Sequence, residues 1–175
     1  MDSAPREKIL DVACGAVKHA GATGIDIAVA PGVDVVHDLG VFPWPLDDNA
    51  FDRILCRNCM EHLDDIVRTM EEIHRIAKPD GILEIWTPHF AHPNSFRDPT
   101  HKRHFTFGTF DYFTGGVLYP IYTDRKFEMI ERKLMFRKKF SIGKLLSSLS
   151  ERRWEKYYSH HWPAHGMYFK IRIKK

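Results

Sequence analysis

The sequence predicts an α/β fold built on a mostly parallel sheet, and two observations carry that prediction. Four short apolar runs occupy the first third of the chain: Ile9 to Gly15, Gly24 to Ala28, Val33 to Leu39 and Phe51 to Arg57. β-branched and aliphatic residues dominate them, as in buried parallel strands. The runs end in order at Gly15, Asp26, Asp38 and Asn58-Cys59. Strand ends are where open α/β sheets bind ligands.

The elements follow from local pattern. Only Ala16 to Thr23 separate Gly15 from Gly24. A parallel crossover takes a dozen or more residues, so the first helix is expected to be truncated or missing. From Glu61 to Ala77 the apolar residues Leu63, Ile66, Val67, Met70, Ile73 and Ile76 recur at helical spacing, and Pro79-Asp80-Gly81 stops the helix. Ile82 to Thr87 reads as the next strand, and Lys126 to Phe136 and Met167 to Ile173 as two alternating strands. Ile142 to Tyr158 reads as one helix, with Leu145, Leu146, Leu149 and Trp154 partly clustered. No repeat or linker divides the chain, so residues 1–175 are expected to form a single domain, with a substrate loop at about 88–115 and a basic C-terminal part at 125–175.

Composition is that of an ordinary soluble protein, with 43% hydrophobic and 28% charged residues. Without a signal peptide or membrane-length apolar run, a cytoplasmic location and no transmembrane segment are expected. Cys14, Cys56 and Cys59 are an odd set at strand ends and read as buried thiols; Cys56-x-x-Cys59 has no second pair to make a zinc site. Charge is uneven. Residues 1–124 carry 11 Lys/Arg against 19 Asp/Glu, and residues 125–175 carry 15 against 4. The acidic part suits a cationic ligand. In the basic part Trp154, Tyr157, Tyr158 and Trp162 are interleaved with Arg137, Lys138, Lys139, Lys144, Arg152, Arg153 and Lys156, a composition open to nucleic acid, an anionic carrier or plain solvation.

Six segments occur in one order: Leu10-Asp11-Val12-Ala13-Cys14-Gly15, Asp26, Asp38-Leu39, Pro43-Trp44-Pro45-Leu46-Asp47-Asp48-Asn49-Ala50-Phe51-Asp52, Glu61-His62-Leu63 and Lys78-Pro79-Asp80-Gly81-Ile82-Leu83. On these residues the stretch from Ile9 to about Phe113 resembles the small type 11 branch of class I S-adenosylmethionine (SAM)-dependent methyltransferases. The resemblance implies a Rossmann-like, mostly parallel seven-stranded sheet with an antiparallel C-terminal strand. It also implies SAM as cofactor, S-adenosyl-L-homocysteine as product, and cofactor contacts at Ala13, Gly15, Lys18, Asp26, Ile27, Asp38, Leu39 and Asn58.

The chemistry agrees with that pattern. A ribose diol needs a carboxylate at the end of strand two, where Asp26 stands, and the adenine amine needs an acceptor such as Asp38, with the Leu39 amide for a ring nitrogen. A dinucleotide would also need a Gly-x-Gly-x-x-Gly turn for its pyrophosphate. Here only Gly15 remains, with Ala13 and Val17 at the other small-residue positions, which favours a sulfonium nucleoside. Lys18 or His19 in the shortened loop is positioned for the cofactor carboxylate.

Catalytic residues are expected in the loop from Pro88 to Thr106. Methyl transfer depends on in-line positioning, and an oxygen or nitrogen acceptor must also lose a proton. His101 paired with Asp98 is the first candidate base and His89 the second. Arg97 and Arg103, with His104, are candidates to hold the substrate. His89, His92, Asp98, His101 and His104, with His160, His161 and His165, could supply metal ligands, but their spacing matches no ligand signature, so no metal is expected. Glu61-His62 reads as capping and packing.

The expected activity is SAM-dependent transfer of a methyl group to an oxygen or nitrogen of a small-molecule or carrier-linked acceptor. An RNA or DNA methyltransferase using the basic part is the alternative enzyme. The segment that such enzymes use on base amines is absent, Arg57-Asn58-Cys59-Met60 standing in its place. The alternative from another class is a protein that binds SAM without transferring methyl.

Overall fold

The computed structural model describes residues 7–116, 122–137 and 141–175, so Lys138 and Lys139 of the basic part lie outside the described residues. Strands β1 (Ile9–Val12), β2 (Thr23–Asp26), β3 (Val35–Val36), β4 (Phe51–Arg57), β5 (Ala77–Thr87), β6 (Lys126–Met135) and β7 (Gly166–Lys174) form one sheet in the order β3-β2-β1-β4-β5-β7-β6. β1 to β5 pair in parallel, and β7 runs antiparallel to both β5 and β6. The expected Rossmann-like, mostly parallel seven-stranded sheet with an antiparallel C-terminal strand is present, and no helix separates β1 from β2.

That helix-free crossover has a local cause. A Cβ on Gly24 would sit 2.5 Å from the Gly32 carbonyl oxygen and 2.6 Å from Cys14 Sγ, so only glycine lets the turn after β1 lie directly on β2. The buried Asp11 carboxylate holds the turn from beneath, accepting from the His19 amide at 2.8 Å and the Arg57 guanidinium at 2.5 Å. The segments from β2 to β3 and from β3 to β4 are helix-free as well; Trp44 fills the second from inside, its Nε1 donating to the Leu39 carbonyl.

With those helices gone, the two faces of the sheet differ. Leu10, Val12, Ile54, Cys56, Leu83, Ile85, Phe169, Ile171 and Ile173 share the apolar face, and helices α1 (Ile66–Ile76) and α3 (Asp111–Thr114) pack on it. The opposite face alternates as in a half-exposed sheet. Arg53 pairs with Glu84 at 2.6 Å, Tyr168 donates to Glu84 at 2.9 Å, and Trp86 lies against Tyr168 at 4.9 Å between ring centroids. Ion pairs and aromatic contacts in the plane of this face satisfy polar groups that water partly reaches, in the place where a second helical layer would bury aliphatic residues.

Several boundaries differ from expectation: β5 starts at Ala77 and takes in Pro79-Asp80-Gly81, β3 is only Val35–Val36, and two helices are divided. The helix expected from Glu61 is a 3₁₀ turn at Met60–His62 followed by α1, because the Asp65 side chain caps the true start by accepting from the Arg68 amide. The helix expected from Ile142 to Tyr158 is two, α4 (Ile142–Leu149) and α5 (Glu151–Tyr157). Ser150 is extended between them and caps α5 through its hydroxyl. A four-residue helix, α2 (Asn94–Arg97), lies in the loop after β5. Among the described residues, no helix is long and apolar enough to cross a membrane.

Candidate functional site

At the carboxyl ends of β1 and β2, Ala13 and Gly15 adopt left-handed φ of +51° and +56°. The Gly15 amide donates to Asp26 at 2.8 Å, and the Ala28 amide to the other Asp26 oxygen at 2.9 Å. Each carboxylate oxygen keeps a second lone pair for a ligand hydroxyl. A Cβ on Gly15 would meet nothing within 4 Å, so the turn opens onto free space. Ile27 is exposed beside Asp26, and Asp38 is exposed at the end of the segment following β3, one oxygen accepting from the Gly40 amide. The Leu39 side chain is buried in the core. These groups fit an adenosyl ligand: a carboxylate for the diol, an acceptor for the amine and an apolar edge for the ring.

Lys18 stands apart from this set. Its ammonium is 2.5 Å from Asp34, which also accepts from the Gly24 amide and is held below the usual carboxylate range by the Lys18 hydrogen bond. Lys18 thus fastens the short turn to the residue before β3. His19 lends its amide to Asp11 and its ring to the Ala20 carbonyl.

A cleft of about 560 Å³ opens at the ends of β4 and β5, lined by Asn58, Glu61, His62, Pro88, Asn94, Arg97, Asp98, Pro99 and His101. Asn58, with φ +50°, ends β4 and donates its amide to the Trp86 carbonyl. The loop is pinned over the cleft by the Glu61 carbonyl, which accepts from the Lys102 and Arg103 amides. His101 Nδ1 lies 3.0 Å from the Ser95 carbonyl. A carbonyl can only accept, so Nδ1 carries the proton and Nε2 keeps its lone pair. His62 packs edge-on to His101 at 4.7 Å, its Nδ1 3.0 Å from the Thr100 hydroxyl.

The remaining loop candidates divide by geometry. His101 and Asp98 both reach the cleft but do not pair: Asp98 accepts from the Thr100 amide and hydroxyl, which lower its pKa and make it a turn cap. His89 is buried outright. Its Nε2 meets Glu155 at 3.1 Å and its Nδ1 accepts from the Ala91 amide, so neither nitrogen remains for an acceptor and His89 is withdrawn as a base. Arg97 lines the cleft, whereas Arg103 is bound to the Asp64 carbonyl and His104 stacks on Phe96 with Nδ1 at the Ser95 hydroxyl. Only Arg97 of that trio faces the cleft. Cys56 and Cys59 are buried free thiols, and Cys59 is pushed well up by its hydrogen bond to Cys56 and by burial.

Glu61 is the residue that sequence reasoning missed. It caps no helix; its Oε2 accepts from the Thr87 hydroxyl at 3.1 Å, while Oε1 is buried without a hydrogen-bond partner. Burial raises its pKa above the ordinary carboxylate value. An acidic residue directly after the apolar Cys59-Met60 pair was the available signal.

The fold is shared with known proteins. Residues 11–85 match the family described as methyltransferase domain, type 11. Over those residues the chain is similar to the methyltransferase family. A 70-residue stretch is 33% identical to the uncharacterized methyltransferase YcgJ of Bacillus subtilis (strain 168), covering 34% of this chain and 27% of that protein. In sequence the chain thus spans little more than a quarter of that curated relative. The crystal structure of YcgJ superposes over 97% of this chain and 92% of its own at TM-score 0.60 and 15% identity. A SAM-dependent methyltransferase from Archaeoglobus fulgidus does so over 96% and 86%, at 0.60 and 18%. Phosphoethanolamine N-methyltransferase 2 of Haemonchus contortus, solved in complex with SAM, covers 96% of this chain with 48% of its own, at 0.59 and 15%. At these identities the superpositions speak for the fold.

Proposed function

We propose that this methyltransferase transfers the methyl group of SAM to an oxygen or nitrogen of a small-molecule or carrier-linked acceptor held in the Asn58, Arg97 and His101 cleft. The observation that carries the proposal is the His101 imidazole, whose proton-bearing nitrogen is committed to the Ser95 carbonyl in the wall of a ligand-sized cleft. SAM, when bound, supplies a methyl group activated by its sulfonium charge.

The chain's own residues then have distinct tasks. Asp26 accepts the ribose hydroxyl protons and Asp38 the adenine amine, while the Ala13 to Gly15 turn leaves room for the ligand. Asn58 stands at the end of β4 in the cleft wall, where it can contact the amino end of the cofactor beside the acceptor. His101 Nε2 takes the acceptor's proton, and Arg97 gives an anionic group on the acceptor a guanidinium partner. The exposed basic and aromatic residues Arg152, Arg153, Lys156 and Tyr157 of α5 favour an anionic carrier on that acceptor over an uncharged metabolite.

The test is turnover. Wild-type protein with SAM and fractionated acceptor pools should yield S-adenosyl-L-homocysteine and a methylated product, and Asp26→Ala should weaken cofactor binding by calorimetry. Binding of SAM with no turnover in any pool would favour the protein that binds SAM without transferring methyl.

A further inference from the structure

The Glu61, His62 and His101 side chains meet in the acceptor cleft in a way that acid-base chemistry alone does not require. One ligand atom from each lies within 4.8 Å of the others. The set is two imidazoles and one carboxylate, the composition of open three-ligand sites for divalent transition metals. Ligands about 2.1 Å from a tetrahedral ion are spaced by ~3.4 Å, so small side-chain rotations close the set.

Three further observations point to a cation. Glu61 is only 1% exposed, and its Oε1 has no hydrogen-bond partner. A buried carboxylate oxygen left without a donor is costly unless something positive reaches it. His101 donates Nδ1–H to the Ser95 carbonyl, the outer bond that commonly orients a metal-binding histidine and leaves Nε2 as ligand. His62 is held likewise, Nδ1 against the Thr100 hydroxyl. Thr87 supports the other Glu61 oxygen, so each of the three side chains has an outer partner and an inward atom. The three come from two separate stretches of chain, the 3₁₀ turn after β4 and the loop after β5, joined by the Glu61 carbonyl's bonds to the Lys102 and Arg103 amides.

We propose that Glu61, His62 and His101 bind one divalent transition-metal ion, of the zinc class, leaving at least one coordination position open to the cleft. Its consequence for catalysis rests on the functional reading above. An acceptor hydroxyl bound at the open position ionises more readily, its proton leaving to water in the cleft, so that the cation takes over from His101 the removal of that proton and favours oxygen acceptors.

Metal binding is tested without methyl transfer. Chelator-treated wild-type protein is titrated with Zn²⁺ by calorimetry and with Co²⁺ by visible absorption. One ion per chain is expected, with the Co²⁺ spectrum of an imidazole-ligated site, and affinity 10- to 100-fold lower in Glu61→Gln, His62→Gln and His101→Gln. His62 is partly exposed, so His62→Gln keeps the test open if the buried Glu61→Gln fails to fold. No binding by wild type, or equal binding by folded His62→Gln and His101→Gln, overturns the proposal; the second result would place the ion on other histidines. Calorimetry of metal-free protein with S-adenosyl-L-homocysteine reads the nucleoside edge separately, so failure of the metal site and failure of the methyltransferase reading are distinguishable.

Discussion

The Gly15 amide donates to the Asp26 carboxylate at 2.8 Å, tying the turn after β1 to the end of β2. One carboxylate thus shapes the turn and faces the space where a nucleoside would lie. Asp26→Ala should weaken S-adenosyl-L-homocysteine binding by about 1.5–3 kcal/mol, the worth of a hydrogen bond to a charged group, as read by calorimetry. Gly15→Ala meets no neighbour but keeps the left-handed φ, so it should cost about 1–2 kcal/mol of stability in urea unfolding. Unchanged cofactor affinity in Asp26→Ala would remove this edge as the nucleoside site.

His101 is expected to act on the acceptor and not on the cofactor. His101→Ala should lower kcat by about 10²–10⁴ while S-adenosyl-L-homocysteine affinity stays within about twofold. Asp98→Asn, which keeps an oxygen for the Thr100 donors, should change kcat little. Loss of cofactor affinity in His101→Ala, with turnover otherwise intact, would contradict the assignment.

The polar face of the sheet makes a separate stability prediction. Glu84 is nearly buried and accepts from both Arg53 and Tyr168. Glu84→Ala should destabilise by about 1–3 kcal/mol, because it strands the Arg53 guanidinium beside the sheet, and Tyr168→Phe by about 1 kcal/mol. Urea midpoints at constant slope check both. If Glu84→Ala were neutral, water would already be supplying the partners.

His74 gives stability a pH dependence. It is buried on α1, packs edge-on to Phe127, and donates Nε2–H to the Lys174 carbonyl; burial, opposed by that bond, sets its pKa below the ordinary 6.5. In the folded chain it stays neutral at a pH where the unfolded chain already takes a proton. Its contribution is therefore full above about pH 6.5 and is lost as pH falls toward and through the folded value. His74→Gln keeps a donor for Lys174 without titrating, so the stability gap between wild type and variant should move against wild type as pH drops below 6.5. A gap independent of pH would show that His74 titrates as it does in the unfolded chain.

The positions of Gly15, Asp26 and Asp38 at the carboxyl edge of the sheet were legible because strand ends are set by local pattern. Their placement needed only the order of apolar runs, and their contact with an adenosyl group is the reading proposed above. The pairing of Lys18 with Asp34 was not legible, because Asp34 lies across the turn at a distance no local pattern encodes. The acceptor cleft was legible only in part. A histidine-rich loop announces chemistry, but the loop alone does not tell the buried His89, locked by Glu155 from a distant helix, from His101 in the cleft wall.

The sequence by itself determined the apolar strand runs, the trimmed first crossover and the carboxylates at the strand ends, because apolar periodicity and loop length act over a few residues. Tertiary structure alone decided that one face of the sheet carries ion pairs in place of helices, and that Glu61 and His62 meet His101. Those outcomes depend on which side chains the folded backbone brings within reach across about forty residues of chain, and on a burial that only the packed core can impose on Glu61.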